Sequence, residues 1–263
     1  MVLELIYNWK KIIPAIIALI VFLMVWYLLI YIFTISPLIL PTPYEVAASL
    51  FTNLPFLLQH GGLTLLEAVL GFLLGGVAAV VLAVVFQFSD KFQEAIYPYV
   101  IALKAIPLVV LAPLVVVWFG SGFASKVVMA SIISFFPIMV NAVQGLNSVE
   151  QEALDLMASL SASRRQVLLK LKFPASLVAI FAGMKISSTF AVIGAVVAEL
   201  VNAQNGIGYV IKNSSYYLDT ALTFAAIFVA ALIGLLFFWV INILEKKIIF
   251  WKQNTEDYSS IIN

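Results

Sequence analysis

Six stretches of roughly twenty or more predominantly apolar residues divide this chain of 263 residues, near Ile12–Ile35, Leu63–Phe88, Ala95–Phe119, Ala124–Leu146, Pro174–Val201 and Thr220–Ile243. Wound as helices rising about 1.5 Å per residue, runs of this length match the thickness of bilayer hydrocarbon. A helix pairs its own backbone N–H and C=O groups, which hydrocarbon cannot do for it. The expectation is therefore an all-α integral membrane protein with six transmembrane helices, forming one domain over residues 1–263. With 64% hydrophobic and 10% charged residues, the chain holds more apolar surface than a water-facing shell could cover. Lys10 and Lys11 precede the first run, which is longer than a signal-peptide core and has no clear small-residue cleavage site; it reads as a retained span.

Lysine and arginine set the orientation. Lys10, Lys11, Lys91, Arg164, Arg165, Lys170, Lys172, Lys246, Lys247 and Lys252 fall on one side, against Lys126 and Lys212 on the other, with Lys104 and Lys185 inside spans. The positive-inside bias places both termini and residues 150–174 in the cytoplasm.

That cytoplasmic segment collects charge the rest of the chain avoids. Ser148-x-x-Gln151 and Ser163-x-x-Gln166 both have capping-box spacing, predicting two short helices joined at Ser161-Ala162 and stopped at Pro174. On the other side, Ser36–Pro43 carries three prolines ahead of an expected interfacial helix from Tyr44 to Leu58, and Asn202–Tyr209 holds glycines suited to a tight turn.

Within the spans, Gly71-x-x-x-Gly75 with Gly76 and Ala79 predicts a close helix-packing face. The third span carries Pro98, Pro107 and Pro113, and the fourth Pro137; each removes a backbone donor and predicts a kink or break. Broken helices at membrane depth line a cavity or are covered by protein. Glu67, Lys104, Lys185 and Glu199 are ionisable groups in or near apolar runs, and each calls for a partner, a cavity or an interface. Lys104 is expected to pair with Glu67 or with carbonyls freed at Pro107, or else to meet an anionic substrate. Lys185 reads as snorkelling, Glu199 as a loop or gate anchor or a residue of no special role, and His60 as an interfacial residue. The set Lys104, Pro107, Pro113 and Glu199 is the candidate translocation path.

Other chemistries lack their residues. The chain has no cysteine and one histidine, so neither a thiolate nucleophile nor a histidine metal cluster can form. A net charge of +1 gives no nucleic-acid signal. Gly120–Lys126 superficially resembles a phosphate loop but lacks Gly before Lys126 and Ser or Thr after it. No catalytic set, metal site or cofactor is expected in this chain.

The polar segment also carries a family likeness. Asp155-Leu156-Met157, three residues, Ser161, nine residues, then Leu171-Lys172-Phe173-Pro174 keeps the spacing of the cytoplasmic E-A-A…G…I-x-L-P signature of ABC importer permeases, with several letters changed. Leu40–Pro43, Ala112-Pro113-Leu114, Trp118–Gly122, Phe135-Phe136-Pro137, Val197-Ala198-Glu199 and Gly206–Tyr209 extend the likeness over nearly the whole chain, which resembles permeases of the nitrate/sulfonate/taurine type. Where the family often has lysine after the Ile-Pro of the third span, this chain has Leu108. The resemblance implies a type I ABC importer permease fold with cytoplasmic coupling helices, in a bacterial inner membrane. It implies a second permease copy, two cytoplasmic ATPase subunits that bind the ATP, and an external substrate-binding protein; the remaining partner is membrane lipid. Asp155, Leu156, Met157, Leu160, Ser161, Arg164, Leu168, Leu171 and Pro174 would then form the ATPase-coupling segment, and the solute would be a nitrate, sulfonate or taurine-like anion or a pyrimidine or riboflavin-like heterocycle. A stand-alone secondary transporter or a small channel is the alternative; it would need matched inverted repeats or a pore ring.

Overall fold

The computed structural model describes residues 2–104 and 106–252 and is helical along most of that length. The first run forms α1 (Val2–Phe33), whose apolar window Ile16–Phe33 is almost wholly exposed. It is held at its far end by Trp26, whose indole Nε1 donates to Pro41 O at 3.1 Å and whose ring meets Phe224. The Pro-rich turn that follows leads into α2 (Pro43–Thr52), started by a capping box in which Thr42 accepts from Glu45 N and the Glu45 carboxylate accepts from Thr42 N. The interfacial helix expected to reach Leu58 stops at Asn53, because Pro55 lies in the first turn of a new helix, α3 (Leu54–Phe86). The second span is accordingly longer than its apolar core.

The third span is not one helix. It divides into α4 (Asp90–Lys104), a 3₁₀ turn at Leu108–Leu111, and α5 (Ala112–Phe119). Pro107 precedes the 3₁₀ turn and Pro113 occupies the first turn of α5, positions where the missing N–H costs least. Among the described residues five helices, not six, are long and apolar enough to cross a bilayer by themselves.

The fourth span, α6 (Phe123–Asn147), continues through Pro137. It leads to α7 (Gln151–Ser159) and α8 (Arg164–Val167). No stop occurs at Pro174. A π turn at Leu168–Lys172 joins α8 directly to α9 (Phe173–Asn202), so that Arg164–Asn202 is one continuous helix of 39 residues. Phe173 N donates to Leu168 O in this wider turn, which makes room for the Pro174 ring where an ordinary α turn would clash. The chain closes with α10 (Ile207–Tyr216) and α11 (Thr220–Ile248).

Small residues hold the centre. α6 packs most extensively on α9 and α3, and Ala130 of α6 is flanked by Gly71 of α3 and Gly194 of α9. A Cβ added at Gly194 would lie 2.7 Å from Ala130 Cα, and one at Gly71 2.7 Å from Val127 O. Gly75 meets Ser131 and Ser134 of α6 in the same way, so the glycine face expected on α3 is the packing seam.

Candidate functional site

Two polar constructions stand at opposite ends of the α3–α6–α9 core. At one end, α7 and α8 form an elbow. Leu160 closes α7, and Ser161 turns the chain with φ +53°, a left-handed conformation that L residues rarely adopt. Ser163 then caps α8, accepting from Gln166 N while the Gln166 side chain accepts from Ser163 N. The matching box expected at Ser148 does not form; Glu150 precedes α7 without a side-chain cap, and the Ser148 hydroxyl donates back to Gly145 O at 2.9 Å.

The elbow sorts its residues by exposure. Leu156 and Leu160, four apart and hence side by side on α7, are 61% and 69% exposed. Asp155, Ser161 and Arg164 are exposed, while Met157, Leu171 and Pro174 are half-buried. Leu168 does not belong with the surface residues: it is 5% exposed and packs into the core of the chain. Behind the elbow a cleft of about 280 Å³ is lined by Gln87, Asp90, Leu154, Arg164, Val167 and Lys172 among others. A relay of polar contacts crosses beside it: Lys172 Nζ donates to Gln87 Oε1 at 2.8 Å, and Gln87 Nε2 donates to Asn147 Oδ1 at 2.9 Å. It ties the ends of α3 and α6 to the base of α9.

At the other end, three side chains grip three consecutive backbone N–H groups at the start of α10. His60 Nδ1 accepts from Gly206 N at 2.9 Å, Thr64 Oγ1 accepts from Ile207 N at 2.8 Å, and Glu199 Oε2 accepts from Gly208 N at 2.6 Å. Spacings of four and three put His60, Thr64 and Glu67 on one face of α3. Gly206 takes φ +101°, and a Cβ there would collide with the Glu199 carboxylate, so the turn needs glycine. These first donors of α10 have no intrahelical partner, and a carboxylate there also meets the positive end of the helix dipole.

Several expectations change here. Glu199 is fully buried, so it lines no open path in this structure; its carboxylate is consumed by the α10 turn and by Thr64 Oγ1 at 2.7 Å. His60 is 6% exposed and structural. Lys185 pairs with Glu245 of α11 at 2.6 Å in place of snorkelling. Lys126 is buried, its Nζ donating to Ser121 O and Gly122 O. Pro107 and Pro113 are exposed at the broken third span. Lys104 ends α4, and its side chain, with any pairing to Glu67, lies outside the described residues. An open apolar groove of about 540 Å³ runs between α9 and α11, past Val192, Ile193, Val196, Ile227, Ala231 and Leu235.

Residues 71–250, more than half of the chain, match the family model described as the binding-protein-dependent transport system inner membrane component. The chain belongs to this family. The matched stretch runs from the glycine seam of α3 past the end of α11 and includes the elbow and, of the α10 clamp, Glu199 and the Gly206–Gly208 turn but not His60 or Thr64. A probable ABC transporter permease protein of Haemophilus influenzae is 36% identical over 229 residues, covering 87% of this chain and 94% of that one. The formylaminopyrimidine transport permease protein ThiX of Halalkalibacterium halodurans is 32% identical over 226 residues, covering 83% and 88%. Among solved structures, an inward-facing conformation of the MetNI methionine ABC transporter superposes with a TM-score of 0.63 at 15% identity, covering 73% of this chain and 95% of that one. The permease is thus a multi-pass inner-membrane component of an ABC importer, with the fold of that transporter class.

Proposed function

We propose that this permease forms the membrane path for a small solute delivered by an external binding protein, and that its α7–α8 elbow is where a cytoplasmic ATPase engages it. The observation that carries the reading is the pair Leu156 and Leu160: two exposed leucines side by side on a polar elbow, where water should disfavour them unless a partner groove covers them. Asp155, Met157, Ser161, Arg164, Leu171 and Pro174 complete the coupling segment, with Leu168 serving as its internal anchor. The lysine and arginine bias supports an orientation with the elbow and both termini in the cytoplasm and α2 and α10 outside. The intact transporter pairs two permease copies with two ATPases, which bind the ATP. The broken third span and the face of α9 beside the α9–α11 groove line the path, since backbone interrupted at membrane depth needs protein or water beside it. A pyrimidine-like heterocycle is the favoured solute class, supported by the relative named for formylaminopyrimidine transport.

The test is co-purification with the ATPase encoded beside the permease gene. Leu156→Asp and Leu160→Asp should each reduce ATPase recovery at least tenfold while the permease still inserts and purifies. Full recovery and wild-type transport in both variants would remove the docking assignment.

A further inference from the structure

The clamp on α10 leaves one group unaccounted for. Glu67 lies one turn beyond Thr64 on the same face of α3, is 4% exposed, and among the described residues its Oε2 has no hydrogen-bond partner. Its carboxyl group lies beside that of Glu199. Two bare carboxylates meeting out of water would repel strongly, whereas a carboxylic acid and a carboxylate attract through one hydrogen.

Counting donors decides which residue carries that hydrogen. Glu199 Oε2 already accepts from Gly208 N at 2.6 Å, and Oε1 faces Thr64 Oγ1 at 2.7 Å. The Thr64 oxygen itself accepts from Ile207 N, so its single hydrogen is free to donate, and Glu199 is nearer than the other acceptor in reach, His60 O at 3.2 Å. Glu199 also sits at the positive end of the α10 dipole. An acid hydrogen on Glu199 would weaken both bonds its carboxylate accepts, while one on Glu67 weakens no bond and meets an acceptor. The charged and titratable neighbours are few: Lys126 of α6 is a cation near both carboxyl groups, its ammonium donating to two carbonyls and not to either of them, Lys212 of α10 donates to Val201 O, His60 accepts from Gly206 N, Tyr209 of α10 lies against His60, and α11 carries its charges at Glu245–Lys247, far along the helix.

We propose that Glu67 and Glu199 form a single buried proton site, in which Glu67 holds the hydrogen and donates it to Glu199, and that this shared proton positions α10 on the core. Glu67 is a positioning residue acting through Glu199. The assignment stands apart from the elbow reading and from the choice of solute.

The site predicts an asymmetry between its two halves. Glu67→Gln keeps a neutral donor aimed at Glu199, so α10 should stay seated. Glu199→Gln removes the negative charge from the positive end of α10 and, with its NH₂ toward Thr64, turns the Thr64 hydrogen to the more distant His60 O, so α10 should loosen. Two readouts on the full chain in lipid vesicles test this. Infrared difference spectra at neutral pH should show the C=O stretch of one buried carboxylic acid, absent in Glu67→Gln. A spin label on Tyr216→Cys, in a chain with no native cysteine, should report wild-type mobility with Glu67→Gln and increased mobility with Glu199→Gln. Absence of an acid band, the result that an ionised Glu67 held by the charge of Lys126 would give, overturns the proposal. So does a band that survives Glu67→Gln, or equal label mobility in the two variants. If Glu67→Gln does not fold, Thr64→Val serves instead: it should shift the band without abolishing it, and an unmoved band places the acid elsewhere.

Discussion

Replacing Gly194 with alanine puts one methyl group into the close seam between α6 and α9. In an exposed helix interior this exchange stabilises by about 0.5–1 kcal/mol, because alanine loses less backbone freedom. At Gly194 the new Cβ would sit 2.7 Å from Ala130 Cα, 3.0 Å from Met129 O and 3.1 Å from Ala130 N, while carbon contacts rest at about 3.5–4.0 Å. All three obstructing atoms are backbone, so no rotamer change relieves them and α6 and α9 must separate. Overpacking of this kind costs about 1–3 kcal/mol, and the propensity gain offsets only part of it. The net loss, about 1–2 kcal/mol, corresponds to a fall in Tm of roughly 2–8 °C by the scaling for domains near this size. The comparison variant is Gly62→Ala, whose Cβ meets nothing within 4 Å and which should hold or raise Tm by a degree or two on the same scaling. Thermal unfolding in one detergent, followed by size-exclusion chromatography, measures both. A Gly194→Ala protein as stable as Gly62→Ala would show that the helices separate without cost, and the reasoning from seam geometry would fail.

Leu168→Asp should abolish recovery of folded permease, unlike Leu160→Asp, because it forces an unpaired charge into the core; equal yields of the two would show that Leu168 is not an internal anchor. Ser161→Gly should raise stability by about 1 kcal/mol by releasing left-handed strain, seen as a Tm increase of about 2–4 °C, and a drop would place the strain elsewhere. Lys185→Met should destabilise by stranding Glu245, and adding Glu245→Gln should restore most of the loss; additive losses in the double variant would mean the pair is not coupled. An impermeant thiol reagent should label Ile39→Cys from outside the cell and Glu152→Cys only from the cytoplasm, and the reverse pattern would invert the orientation.

What could be read before folding was governed by range. Apolar length located the five long apolar helices found among the described residues, and the glycines at 71 and 75 announced the α3 seam, because both signals are local and repeat at helical spacing. Pro107 and Pro113 announced a disturbance in the third span, but whether the chain kinks or divides depends on what α4 and α5 pack against. Pro174 misled because a π turn supplied the room its ring needs, and nothing in Leu168–Lys172 advertises that turn. The elbow was visible as a charge-rich interruption with a preserved spacing, yet the inward turn of Leu168 follows from which face α8 lays on the core. The α10 clamp was hardest to see. His60, Thr64 and Glu199 are separated by up to 139 positions, and only the packing of α3 against α9 brings them to one turn. Val197-Ala198-Glu199 and Gly206–Tyr209 stood out as separate patches; the structure shows that one grips the other.

The unbroken helix from Arg164 to Asn202 is, at 1.5 Å per residue, about 58 Å long, nearly twice the hydrocarbon thickness. It carries the elbow at one tip and Glu199 near the other, and it abuts α6 at Gly183, near its middle, and at Gly194, close to Glu199. A rod this stiff should carry a push at the elbow along its length toward the α10 turn that Glu199 holds, tilting on the glycine contacts with α6. The π turn beside the elbow is the place along the rod where backbone pairing can shift by one residue, and so the place where such a stroke can be lengthened or absorbed.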